Sequence, residues 1–203
     1  MIKELFNQEG DGITSSTLMS GILWSLEKIS WFPNMFQRVC LCLAELEKLD
    51  KGGKFTNRPI NSLTTLLLPW INSTNASADE KIETVKQLIR RYPELSWKIV
   101  FNLLPSMHSI SMGVSKPIYH QEITKDYSQN VSHKDYQKQI IEYSNIVISL
   151  VKEDDHKIFD VLDNLNAINP NSYTDLFDYL KNRNFECLSD MEKIELWEIR
   201  KHH

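Results

Sequence analysis

Two polar clusters between apolar stretches hold the residues whose types could do chemistry. The first is Lys54-Phe-Thr-Asn57-Arg58-Pro59-Ile-Asn61-Ser62, just ahead of the helical stripe Leu63, Leu66, Leu67 and Trp70. Lys54 and Arg58 beside helix-start N–H groups could hold a phosphate or a carboxylate. The competing reading is structural. Asn61 or Ser62 would cap the helix, Pro59 would stiffen its entry and Arg58 would bond local carbonyls. The glycine spacing and Gly-Lys-Ser/Thr ending of a phosphate-binding P-loop are missing.

The second cluster is Ser106-Met107-His108-Ser-Ile-Ser111-Met112-Gly-Val-Ser-Lys116-Pro-Ile-Tyr119-His120. A histidine among serines raises nucleophile–base chemistry. No nucleophile elbow accompanies it, and no acidic residue is singled out to orient the base. An extended loop pinned over helices by Met107, Ile110 and Met112 fits better. Binding residues favour loops on rigid scaffolds, which makes this loop the first place to look for a partner contact. The sequence assigns no catalytic residue, metal or cofactor. The six histidines show no His-Glu-x-x-His or Cys/His spacing for zinc. Glu153-Asp154-Asp155 lacks the alternating oxygen ligands and central glycine of a calcium loop, and reads as a solvated junction with one aspartate capping the next helix.

Helices must position these clusters. Leu18, Ile22, Leu26 and Ile29 form one stripe after the cap-competent Ser15-Ser16, and Phe36, Val39, Cys40, Leu43, Leu46 and Leu49 form the next. Gly52-Gly53 supplies a left-handed C-cap. Ser77-x-x-Glu80 is a capping box opening a stripe from Ile82 to Tyr92, and Pro93 begins the following helix. Ser132-x-x-Asp135 starts a long helix, Asn169-Pro170 interrupts later ones, and Ser189-x-x-Glu192 opens the last. The five tryptophans sit on or beside stripes and read as core by default.

The fold class is all-α. Leu67-Leu68-Pro69 and Leu103-Leu104-Pro105 recur 36 residues apart, a period that favours an α-solenoid-like array of helix pairs over an irregular helical bundle. The expected organisation is helical pairs over 1–105, an extended loop over 106–120 and packed C-terminal helices over 121–203. The last helix reaches Lys201-His202-His203 without a C-cap glycine, which reads as a fragment of a larger protein.

Composition narrows the function. The chain has 203 residues, 41% apolar and 25% charged, with a net charge of −4. Up to residue 100 there are 12 basic against 11 acidic residues, and 11 against 16 thereafter, so no cationic surface is set aside for nucleic acid. Cys40, Cys42 and Cys187 are too few for a disulfide framework and read as buried thiols in a reducing compartment. No apolar run approaches a membrane span, and the expected location is the cytoplasm.

The stretches Gly21-Ile-Leu-Trp24-Ser-Leu-Glu27, Trp31-Phe-Pro, Asn57-Arg58-Pro59-Ile-Asn61-Ser62-Leu63 to Trp70, Tyr92-Pro-Glu-Leu-Ser-Trp97 and Leu103-Leu104-Pro105-Ser carry a family resemblance. Together they resemble a helical-repeat region of very large, poorly characterised bacterial proteins of the signal-transduction NTPase or defence-associated type. The resemblance implies a sensor or scaffold that contacts a protein partner or other domains of a longer chain, with any catalytic parts elsewhere. The expectation is therefore a non-catalytic protein-interaction module, with Lys54, Asn57, Arg58, Met107, His108, Met112, Lys116 and Tyr119 as partner-binding residues. The alternative is an enzyme whose active site lies around Arg58 and His108.

Overall fold

A computed structural model describes residues 18–32, 34–52, 57–105, 113–125, 127–183, 185–186 and 188–202. All regular structure among them is helical: α1 Leu18–Ile29, α2 Phe36–Leu49, α3 Pro59–Leu67, α4 Ala78–Arg91, α5 Pro93–Phe101, α6 Gln121–Thr124, α7 His133–Glu153, α8 Ile158–Asp163, α9 Tyr173–Asn182 and α10 Asp190–His202. Three short 3-10 turns sit at 155–157, 165–167 and 170–172. None of these helices is long and apolar enough to cross a membrane. The chain divides into two compact units, Met1–Leu103 with Ile110–Gln139, and Leu104–Ser109 with Ile140–His203.

In the first unit α2 is the hub, packing against α1, α3 and α4, with α5 on α4. Its stripe Val39, Cys40, Leu43 and Ala44 is buried against Leu23, Leu63, Leu66, Leu67, Val85 and Leu88 of the first unit's core. Each fully buried Leu or Val contributes about 1.5–3 kcal/mol. Cys40 is buried but Cys42 is exposed, so α2 is not covered all round as its apolar run suggested. The buried face of α1 also differs from the expected stripe. Leu18 and Ile29 lie outward at 56% and 37% exposure, while Met19, Leu23 and Glu27 point inward. The acid turns in because two donors of other segments meet it there.

Helix ends follow the sequence where the cap is local. Ser77 and Glu80 close both halves of their capping box, as do Ser189 and Glu192. Ser132 Oγ accepts from the Asp135 N–H, and Pro59 and Pro93 stand in the first turns of α3 and α5. Gly52 has φ +77°, a left-handed conformation that glycine adopts freely, and its N–H donates to Asp50.

The second unit is built on Tyr143, Val147 and Val151 with Ile158, Val161, Leu176, Leu180 and Leu196. Asp154 caps the 3-10 turn by accepting from the His156 N–H. Asp155, expected in solvent, is instead buried at 4% exposure and accepts from the Tyr179 hydroxyl and from Arg183. A buried carboxylate persists only when donors replace its water, which these two residues provide.

Candidate functional site

The expected site residues fall in two places in the first unit. Asn57 and Arg58 stand at the start of α3, and Lys116 and Tyr119 lie on the segment 113–125. Lys54, Met107, His108 and Met112 lie outside the described residues, as do Ile110, Ser15, Ser16, Gly53 and Cys187.

Arg58 donates through Nη1 to Asp50 at 2.9 Å, and the pair is largely buried. Its Nη2 and the Nδ2 of Asn57 are enclosed without a hydrogen-bond partner among the described residues. Asn61 and Ser62 lie inside α3 and are not its N-cap, which is Arg58 and makes no side-chain cap hydrogen bond. Glu47 of α2 supplies that bond instead, accepting from the Ile60 N–H at 3.1 Å and from Lys98. A carboxylate at the positive end of a helix answers free N–H groups and the macrodipole together. The fold thus consumes much of the chemistry that Arg58 suggested.

The segment 113–125 is rooted by a second buried carboxylate. Glu27 of α1, 7% exposed, accepts from Ser62 Oγ through Oε1 at 2.7 Å and from the Ser115 N–H through Oε2 at 2.9 Å. One side chain therefore joins the first turn of α3 to the 113–125 segment, tying the two polar clusters of the sequence together. The Trp31 indole N–H donates to the Ser115 carbonyl at 3.2 Å, so both backbone groups of Ser115 are held from the α1 end. Pro117 is buried. The Lys116 ammonium lies 4.4 Å from the Tyr127 ring centroid and 5.8 Å from that of Trp31, and those rings meet edge to face at 4.8 Å. Such a cation–π contact contributes about 0.5–2 kcal/mol.

The far end of the segment is anchored as well. Asn75 donates to the Ile123 carbonyl, and Tyr127 donates through its hydroxyl to the Asn72 carbonyl. Asn72 bonds Ser128, Gln129 and Asn130 through its side chain and backbone N–H. Between these roots Ile118 and Tyr119 stand free at 66% and 92% exposure. His120 sets its ring edge against Phe32 at 5.3 Å and pairs with Glu122 at 3.0 Å. The Glu122 carboxyl is held below its usual range, chiefly by its own backbone N–H and then by His120.

Comparison with protein-family models, curated proteins and solved structures returns no match. The arrangement has to speak for itself. It is a segment anchored at both ends, with an isoleucine and a tyrosine exposed between the anchors.

Glu27, Trp31, Asn72 and Tyr127 escaped the sequence reading as site residues. Glu27 carried a signal, since it follows Met19 and Leu23 at i+4 spacing on one face of α1, where an acid among apolar neighbours marks a partnered buried charge. Asn72 and Tyr127 carried none, because their bonds span about fifty-five residues of chain. The tryptophans divide: Trp31 is buried, whereas Trp24 and Trp197 are 45% and 55% exposed.

Proposed function

We propose that this chain is a non-catalytic protein-interaction or scaffold module that contacts its partner through the rooted loop bearing Ile118 and Tyr119. The carrying observation is the contrast along the 113–125 segment, fixed at both ends by buried or aromatic contacts and bare at its tip. A tip held in one conformation loses little entropy when a partner covers it, and a tyrosine supplies large contact area for few rotatable bonds. Arg58 is engaged with Asp50, which weighs against its service as a substrate-binding cation. The resemblance to helical arrays of large bacterial proteins points the same way, with partner and module as parts of a larger assembly.

The test is site-specific photocrosslinking in the native cell with benzoylphenylalanine at position 119, using position 83 as an exposed helical control. A discrete adduct at 119 that is missing at 83, and that Ile118→Asp removes, supports the reading. Equal, diffuse labelling at both positions contradicts it.

A further inference from the structure

Beside the rooted loop lies a half-open cleft of about 270 Å³. Phe32 from the α1–α2 connection forms one wall over the edges of the buried Trp31 and Phe36, and Ile123, Asn75 and Glu80 complete it. Its volume falls just under the roughly 300–1,000 Å³ of small-molecule sites. That size suits one inserted side chain better than a whole metabolite. Phe32 links cleft and loop, since it lines the cleft and meets His120 one residue past Tyr119.

The charge pattern selects what could enter. Among the described residues lining the cleft, Glu80 is the one that is ionisable. Both Ser77 donors go to its Oε2, so the capping box leaves Oε1 free to take another donor. Glu122, the residue before Ile123 in the chain, is a second exposed carboxylate, already paired with His120. An aromatic face with a carboxylate at hand is attractive to a cation. The Trp31–Tyr127 cluster already accepts one, the ammonium of Lys116.

We propose that the cleft takes an arginine side chain of the partner protein, its stem along Phe32 and Ile123 and its guanidinium toward Glu80. Arginine is favoured over lysine because its flat, weakly hydrated head loses less on entering an aromatic-walled space and can bond a carboxylate in a planar fork. The occupant's identity as part of a protein rests on the interaction reading above. The cleft's preference for a guanidinium does not, and it is tested separately.

The experiment is a titration of the full ¹⁵N-labelled chain with N-acetylarginine amide, N-acetylcitrulline amide and N-acetylnorleucine amide, followed by NMR. The expected result is saturable shifts at the Trp31 indole and at the Phe32, Ala76 and Ile123 amides with the arginine derivative. Citrulline, of similar shape and uncharged, should bind at least about ten-fold more weakly, as should norleucine. Glu80→Gln should erase the preference while keeping the capping box, which accepts glutamine at that position. No saturable shift, or equal binding of citrulline or norleucine, overturns the proposal. The wild-type citrulline arm decides even if Glu80→Gln loosens the fold. Crosslinking at 119 without arginine selectivity would retain the docking loop and remove the cleft.

Discussion

Helices α3 and α4 follow one another in the chain and have their ends satisfied by opposite means. α4 is self-sufficient: Ser77 and Glu80 cap its start reciprocally, and Arg90 and Arg91 occupy its last turn, where cations answer the negative end of the dipole. α3 draws on its neighbours. Glu47 of α2 takes its Ile60 N–H, Glu27 of α1 takes its Ser62 hydroxyl, and Lys81 of α4 donates to the Leu68 and Ile71 carbonyls at its far end. At nine residues α3 is shorter than the roughly 12–15 at which an isolated helix becomes marginal in water. Its placement depends on charges brought by three neighbours, and through Glu27 the same dependence reaches the loop that carries Tyr119.

The comparison can be broken at several points. Glu27→Ala removes one buried acceptor from two donors, the Ser62 hydroxyl and the Ser115 N–H, and should cost about 3–4 kcal/mol in urea unfolding. It should also loosen the 113–125 segment, seen as line broadening or shifts of Tyr119.

Lys81 supplies the next largest effect, through pH. It is fully buried, and its ammonium donates to two carbonyls and the Asn72 amide oxygen, which are all uncharged. Burial pulls its ammonium down from 10.5 to about 8, partly offset by Cys40. Between those values the unfolded chain holds the proton more firmly than the folded one. Stability from this group therefore rises as pH climbs from about 8 to 10.5, by about 3 kcal/mol. Burial raises Cys40 and Tyr92, and both act in the opposite direction over the alkaline range. The stability difference between wild type and Lys81→Met across this range isolates the rise, which a parallel pair of curves would exclude.

Glu47→Ala strips the Ile60 N–H of its acceptor and Lys98 of its ion-pair partner, an expected loss of about 2 kcal/mol. The matching change in the self-capped helix, Ser77→Ala, should cost only about 1 kcal/mol and leave the 113–125 segment unmoved. Chemical denaturation of the two variants side by side measures that gap. A Ser77→Ala loss equal to that of Glu47→Ala would mean that the borrowed cap of α3 carries no extra weight.

What was legible in the sequence divides along the same line. The capping boxes at Ser77 and Ser189, Pro93 at a helix start, and the left-handed Gly52 depend on residues at most three apart, so type and spacing reveal them. The all-α class follows from apolar periodicity for the same reason. Glu47 reaching Ile60, Glu27 reaching Ser62 and Ser115, and Asp155 reaching Tyr179 span thirteen to eighty-eight residues. Such pairs exist only after the helices pack, and propensity contains no term for them. Tyr119 was legible as a loop residue. Its rigid footing was not, because that footing is built from α1 and the turn after α3.

Hydrogen exchange at the Ser115 amide tests the central claim most directly. If Glu27 and Trp31 root the 113–125 segment, this N–H should exchange at least about a hundred-fold more slowly than an open loop amide, and Glu27→Ala should abolish that protection. Free exchange of Ser115 in the wild-type protein would contradict the account, for the loop would then have no fixed base from which to present Ile118 and Tyr119.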